Sequence, residues 1–233
     1  MIRRDRHSID DCQVLEKGRD NLKKLRLLTL TGFLAMLLSC TAFTGTARAD
    51  IYDNFAQLKA HEKIGVDYRV RQTFTDSTTM ILAIHGGNIE RETDDIARAV
   101  ARKGGYDCYE FIGISSGLHL TSTHFNDPAA LSMVKRSTKT LSVHGCRGNQ
   151  ALTHVGGQDK VLRARVIKEL KAAGFTAKIA EGSLGGYSDA NICNRNAVGK
   201  GVQIELTAAL RSQLAGSQAK FDRYVSALLK ALD

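Results

Sequence analysis

Two histidines in this chain each close an apolar run. His85 follows Thr79-Met80-Ile81-Leu82-Ala83-Ile84, and His144 follows Thr140-Leu141-Ser142-Val143. Glu90 stands five residues beyond His85, across Gly86-Gly87, and Glu205 lies near the end of the alternating stretch Gly201-Val202-Gln203-Ile204-Glu205-Leu206. Two imidazoles and one carboxylate are the protein ligands of many hydrolytic zinc sites, in which a fourth position stays open. His85, Glu90 and His144 supply that set. Zinc in such a site lowers the pKa of bound water from about 15.7 to about 7. Glu205 is then the natural general base, taking the water proton and passing it to a leaving nitrogen. By spacing alone H-x-x-x-x-E is a weak signal. Its weight comes from its place after an apolar strand, because a single buried histidine is more often a hydrogen-bonded core residue, whereas four such groups converging on one sheet edge form a site.

The elements that must position these residues alternate along the chain. Thr79 to Ile84 is nearly continuously apolar, as expected of a parallel strand buried on both faces. Thr93 can cap a helix through Lys103, which Gly104-Gly105 terminate. Tyr106 to Ile112 reads as a strand, Leu118 to Thr121 as a short one, and Asp127-Pro128 opens a short helix. Strands are predicted at Thr140 to Val143 and at Leu152 to Val155. Gln158 to Ala173 is the clearest helix, with Val161, Leu162, Val166, Ile167 and Leu170 at helical spacing. Thr176 to Ala180 follows as a strand, and Glu181 to Gly201 is a long polar loop of the kind that carries function. The strand at Gly201 to Leu206 and helices from Ala208 to Leu214 and from Ser217 to Leu232 complete the pattern. Alternating strands and helices predict an α/β fold: a single domain with a mixed, mostly parallel sheet and helices on both faces. Such sheets bind ligands beyond the carboxyl ends of their strands, where His85, His144 and Glu205 fall.

The chain has 233 residues, 33 Lys+Arg against 24 Asp+Glu, one proline and a net charge of +9. This composition excludes disorder, collagen and a multi-span membrane protein. Basic residues are scattered, and no zinc-finger, RNP or Walker pattern is present, so no nucleic-acid partner is expected. Lys23, Lys24 and Arg26 precede the apolar run Leu27 to Leu38, which suits an export signal. Two exits follow: Leu37-Leu38-Ser39-Cys40 reads as a lipoprotein box with a lipid anchor at Cys40, and Ala47-Arg48-Ala49 as an ordinary A-x-A site. Residues 1–49 are therefore expected to be an N-terminal extension and export signal, and 50–233 the functional domain, placed in the periplasm, on the envelope or outside the cell. Removing nine basic and five acidic residues with the extension leaves a charge of +5. The domain keeps Cys108, Cys146 and Cys193, an odd number with no C-x-x-C spacing, read as structural with one possible bridge.

Five blocks, in order, carry a resemblance: His85-Gly86-Gly87-Asn88-Ile89-Glu90, Leu118 to Phe125, Leu141-Ser142-Val143-His144-Gly145-Cys146, Asn191-Ile192-Cys193-Asn194-Arg195 and Gly201 to Leu206. Over roughly Tyr52 to Leu214 the chain resembles the poly-γ-glutamate hydrolase family of phage-associated and bacterial zinc enzymes, whose fold is similar to that of zinc carboxypeptidases. The resemblance implies one zinc per chain on His85, Glu90 and His144, with Glu205 as the catalytic carboxylate. Asn88 stands where the wider carboxypeptidase pattern has glutamate, which leaves Glu92 as an alternative ligand to Glu90. Arg195 is the candidate for polarising the scissile carbonyl, and Asn194, Arg147 and His124 are candidates for substrate binding. Tyr187 reads as a turn tyrosine that could also close over a substrate. The implied partner is an anionic γ-glutamyl polymer, cleaved by a monomer. Cell-wall γ-D-glutamyl peptides or another small peptide are the alternative substrates, and a non-catalytic anion-binding envelope lipoprotein is the alternative of another class.

Overall fold

A computed structural model of the protein describes residues 50–233. The expected export signal and both of its expected exits lie outside the described residues. In chain order the elements are α1 (Phe55–His61), β1 (Tyr68–Thr73), β2 (Thr79–Gly87), α2 (Thr93–Gly104), β3 (Asp107–Gly113), α3 (Pro128–Arg136), β4 (Lys139–Cys146), β5 (Thr153–Gly156), α4 (Lys160–Ala172), β6 (Ala177–Ile179), β7 (Val202–Thr207), α5 (Ala208–Ala215) and α6 (Gln218–Leu232). The strands form one sheet in the order β1-β3-β2-β4-β7-β5-β6. The central four, β3, β2, β4 and β7, are parallel, whereas β1 joins β3 and β5 joins β7 antiparallel.

Alternation along the central strands divides the core into two layers. Ile81, Ala83, Leu141, Val143, Val202, Ile204 and Leu206 face α2, α4, α5 and α6. Met80, Leu82, Ile84, Tyr109 and Phe111 face the other way, onto α1, α3 and the segment around Leu118 to Phe125. Burial on both faces explains why these strands read as continuous apolar runs. Side-chain caps start the helices: Asp127 accepts from the Ala129 N–H with Pro128 in the first turn, Asp159 from Val161 and Leu162, and Ser217 from Lys220. Each cap satisfies backbone donors that a helix start leaves open.

The chain order fixes where a crevice must open. From β2 the chain crosses through α2 to β3 on one side; α3 then returns it to β4 on the other side of β2. This reversal is the switch point at which open α/β sheets bind ligands. The pairing of β2 with β4 ends at Leu82↔Ser142, so the last residues of the two strands part just where His85 and His144 stand.

Four sequence expectations need correction. Leu118 to Thr121 is no strand: Ser116–Leu118 forms a 3₁₀ turn, and the Leu120 carbonyl and Thr121 N–H bond to side chains instead of a neighbouring strand. Thr93 is not the cap of α2; Glu92, in the left-handed region at φ 75°, holds that place, and the Thr93 hydroxyl donates to the Glu90 carbonyl at 2.8 Å. Val161 is 71% exposed because the buried stripe of α4 runs Leu162, Val166, Leu170. The three cysteines of the domain are free thiols, with burial raising the pKa of each, that of Cys146 to about 12. The sequence reading also passed over α1 and β1.

Gly87 ends β2 at φ +67°, and a Cβ there would stand 2.5 Å from the Gly113 carbonyl oxygen. Gly199 has nearly the same φ, +68°, with nothing within 4 Å of such a Cβ. Gly199→Ala should therefore cost only the backbone term of about 1 kcal/mol, and Gly87→Ala at least about 2 kcal/mol once backbone strain and crowding combine. Urea unfolding of the two variants measures the difference.

Candidate metal centre

His85 enters the site out of phase with its own strand. Ile81 and Ala83 belong to the layer under α2, so strict alternation would send His85 there too. Between Ala83 and Gly86 the register against β3 slips: Ala83 faces Glu110 and Gly86 faces Ile112, three steps on β2 against two on β3. This bulge re-aims the imidazole, a common use of bulges beside functional sites. His85 thereby reaches the face occupied by His144, opposite to that of its neighbours Leu141 and Val143.

The two Nδ1 atoms stand 3.1 Å apart. The Glu90 carboxylate closes the group, with Oε1 3.1 Å from His85 Nδ1 and Oε2 3.8 Å from His144 Nδ1. Ligands on a tetrahedral zinc with bonds of about 2.0–2.1 Å lie roughly 3.3 Å from one another, so the donor set has the right size. The far side of each ring is already engaged. His85 Nε2 donates to the Leu120 carbonyl at 2.9 Å, which leaves Nδ1 as its unshared nitrogen, and His144 Nε2 meets Ser142 Oγ at 2.7 Å. Such outer contacts fix tautomer and ring orientation around a metal. Glu90 is held by the Gly145 N–H on Oε2 at 2.7 Å and by its own N–H on the His85 carbonyl at 2.8 Å. The turn from His85 back to Glu90 is thus closed by a main-chain bond.

Burial acts against every charge here. It would lift the pKa of Glu90, but the charge and hydrogen bond of His85 outweigh it and hold Glu90 down at about 2. Burial would likewise depress His85, yet Glu90 raises it above its ordinary value. His144, buried beside His85, is pushed down to about 3. Burial and the negative Glu90 together push Glu205 well above the usual carboxylate range, with Arg211 opposing. Two buried carboxylates that repel each other, with only one of the two imidazoles inclined to carry a compensating proton, are what a divalent cation would relieve. The residues fit zinc by donor type, spacing and charge.

Glu205 reaches this group through strand register, since it stands directly opposite His144 on β7. Its side chain is held by a buried amide: Gln203 Nε2 donates to Glu205 Oε1 at 3.2 Å and to the Leu184 carbonyl at 3.0 Å, and Gln203 Oε1 accepts from Asn191 Nδ2 at 2.7 Å. The long polar loop is therefore tied to the candidate base.

A poly-gamma-glutamate hydrolase profile matches residues 52–226. YndL of Bacillus subtilis (strain 168), a UPF0714 protein, is 34% identical over 224 residues, covering 93% of this chain and 85% of YndL. The SPbeta prophage-derived YoqZ of the same organism is 36% identical over 172 residues, 71% of this chain and 62% of its own. Among solved structures, a bacteriophage poly-gamma-glutamate hydrolase superposes with a TM-score of 0.75 at 30% identity, covering 78% of this chain and 96% of that one. YndL in a zinc-free apo form gives 0.73 at 34% identity, covering 79% and 98%. The chain belongs to the poly-gamma-glutamate hydrolase family.

On this hydrolase fold the other singled-out residues are placed as follows. Glu92 lines a separate cavity of about 340 Å³ with Asp95, Arg98 and Arg102, apart from the two histidines. Asn194 is buried and saturated within the loop: its Nδ2 donates to the carbonyls of Gly186 and Ser188, and its Oδ1 accepts from the N–H groups of Gln158 and Gly201. It holds the loop's shape. Arg195, half-buried at the end of the Ile192–Asn194 turn, has no hydrogen-bond or ion-pair partner for its guanidinium among the described residues. Arg147 is exposed just past β4. Tyr187 packs in the loop, its hydroxyl on the Ala180 carbonyl and its ring under Arg163. His124 is exposed and bonds Asp50 at 3.1 Å, while the other oxygen of Asp50 takes His119 Nδ1 at 2.8 Å. His119 stacks on His85 with ring centroids 4.2 Å apart. Sequence reasoning missed both Asp50 and His119; the spacing of His119 and His124 was the available signal, whereas Asp50 is 69 residues from His119.

Two outcomes follow for this centre. His144→Ala should abolish stoichiometric zinc binding, and Ser142→Ala, which leaves all three ligands, should weaken it by about tenfold or more, as read by competition with a chromogenic chelator. Gln203→Met keeps the shape but removes the donor to Glu205. It should lower kcat about tenfold at unchanged zinc content and cause no further loss in a Glu205→Gln background.

Proposed function

We propose that this hydrolase is a zinc-dependent amidohydrolase that cleaves the γ-glutamyl amide bonds of poly-γ-glutamate. The observation that carries the reading is the convergence of His85 Nδ1, His144 Nδ1 and the Glu90 carboxylate beside a Glu205 whose proton affinity is raised by burial and by Glu90. His85, Glu90 and His144 would hold zinc, which supplies Lewis acidity and a nucleophile at neutral pH. Glu205 accepts a proton from the attacking water and returns it to the amide nitrogen, so that the C–N bond breaks with a neutral amine leaving. A carboxylate with elevated proton affinity suits both halves of that transfer. Arg195, half-buried and without a partner among the described residues, is the cation assigned to the developing negative charge on the carbonyl oxygen.

The substrate assignment draws on the family and on the chemistry of the polymer. Each γ-linked unit keeps a free α-carboxylate, and a domain of net charge +5 attracts such a chain. The relative described as zinc-free apo YndL supports zinc as the metal. The N-terminal signal supports an exported enzyme, anchored at Cys40 or released after Ala49, that meets its polymer outside the cytoplasm.

Purified protein should release product from poly-γ-glutamate, lose that activity to a chelator and regain it with zinc, and leave poly-α-glutamate intact. Glu205→Gln should keep one zinc and lose at least about a hundredfold in kcat. Near-normal turnover by that variant would remove Glu205 as the base. Turnover confined to cell-wall γ-D-glutamyl peptides would replace the substrate while keeping the chemistry.

A further inference from the structure

The register row that carries His144 and Glu205 continues past the candidate base. Glu205 on β7 stands opposite His154 on β5, and His154 opposite Lys178 on β6. Directly paired residues project from the same face of a sheet. His144, Glu205, His154 and Lys178 therefore form one line across four adjacent strands, on the face that holds the metal ligands. The flanking residues confirm the phase: Val155 and Ala177 lie in the opposite core layer, and Thr153 reaches that side to bond the Tyr224 hydroxyl of α6.

The outer half of this line is less buried and carries one cation, Lys178, beside a neutral imidazole. His154 is half-buried and Lys178 exposed, and neither side chain has a hydrogen-bond or ion-pair partner among the described residues. Burial and then the neighbouring Lys178 ammonium lower the pKa of His154, with Glu181 acting in the other direction. The loop walls one side of the row: the Gly185 carbonyl accepts from Gly157 at 2.8 Å, and a Cβ on Gly156 would stand 2.2 Å from that oxygen. The loop thus packs against β5 at Gly156 and Gly157, beside the row.

We propose that His154 and Lys178 form an extended subsite for the α-carboxylates of a γ-glutamyl polymer, on the β5/β6 side of the bond being cut. This rests on the hydrolase reading above and adds the direction in which the polymer lies. The repeat lengths support it. Adjacent strands are spaced about 4.8 Å. A γ-linked glutamate adds five main-chain bonds, an advance of roughly 6 Å when extended and less when relaxed. A relaxed γ-linked chain, shortened and turned from the extended form, can thus bring successive α-carboxylates to successive strands. An α-linked chain has a shorter repeat of about 3.4 Å.

The test uses a fluorescent γ-linked glutamate oligomer, with zinc-loaded Glu205→Gln protein for binding and zinc-loaded wild-type background for turnover. Lys178→Glu should weaken oligomer binding at least tenfold and raise KM to match, with kcat within twofold, and His154→Ala should weaken binding about threefold. Lys171→Glu, the same charge reversal on α4 across the sheet, controls for net charge and should change binding less than twofold. Equal losses in Lys171→Glu and Lys178→Glu would overturn the subsite, as would unchanged binding in Lys178→Glu. Lys178-dependent binding without any turnover in the wild type would defeat the hydrolase reading while leaving the subsite in place. Normal turnover with unchanged KM in Lys178→Glu would do the reverse.

Discussion

The structure depends on holding two carboxylates and two imidazoles together out of water. Glu90 and Glu205 repel each other, and burial penalises the charge of both. Leaving such groups in a protein interior without compensation costs several kcal/mol per ion. His85 and the Gly145 N–H offset part of this for Glu90, whereas Glu205 has only the Gln203 amide and the distant charge of Arg211. A core built only for stability would not place Glu205 there. The same imbalance that costs stability gives Glu205 its affinity for a proton and gives the triad its affinity for a cation. Function and destabilisation here are one electrostatic fact.

Holding that arrangement falls to backbone geometry more than to side-chain packing. The switch point parts β2 from β4 after Leu82↔Ser142, the bulge beyond Ala83 turns His85 into the gap, and Gly87 in the left-handed region lets the chain return so that Glu90 reaches the same gap. All three devices act at the carboxyl end of β2. Around them the rigid sheet limits positional error: Ser142 fixes the outer nitrogen of His144 from two residues back on the same strand, and Leu120 fixes that of His85 from a segment 35 residues away. A site of this kind tolerates change in its loops more readily than a shift of strand register.

Which parts of this were legible in the sequence follows from the range of the forces involved. The apolar runs ending at His85 and His144 are local signals, and the alternating stretch around Glu205 shows its two faces directly. The central strands, and the two histidines that the fold brings together, could therefore be read. The choice between Glu90 and Glu92 could not, because it depends on a turn closed by the bond from the Glu90 N–H to the His85 carbonyl. Leu118 to Thr121 looked like a strand because its apolar residues are buried, but its backbone partners are side chains of Asp50 and His85, far away in sequence. Val161 looked buried because it is apolar and near the periodic positions; it misses the stripe by about one residue, or 100° of helix. Asn194 carried the chemistry of a substrate ligand and proved to be the internal brace of its loop.

The long loop from Glu181 to Gly201 ties these levels together. A loop of this length in a compact domain needs its own polar framework, and Asn191, Asn194 and Asn196 provide it through bonds to main-chain groups and to Gln203 and Thr140 of the sheet. That framework fixes Leu184 and Asn191 against Gln203, and through Gln203 it reaches Glu205. It also leaves Arg195 half-buried without a partner among the described residues. A guanidinium in that state is costly unless an anion meets it, just as Glu205 is costly unless a cation approaches. The two uncompensated charges are opposite in sign, and one loop is connected to both. On the proposed reading, an anionic substrate cut beside a metal would satisfy both together, and the loop would complete a site that the sheet alone does not.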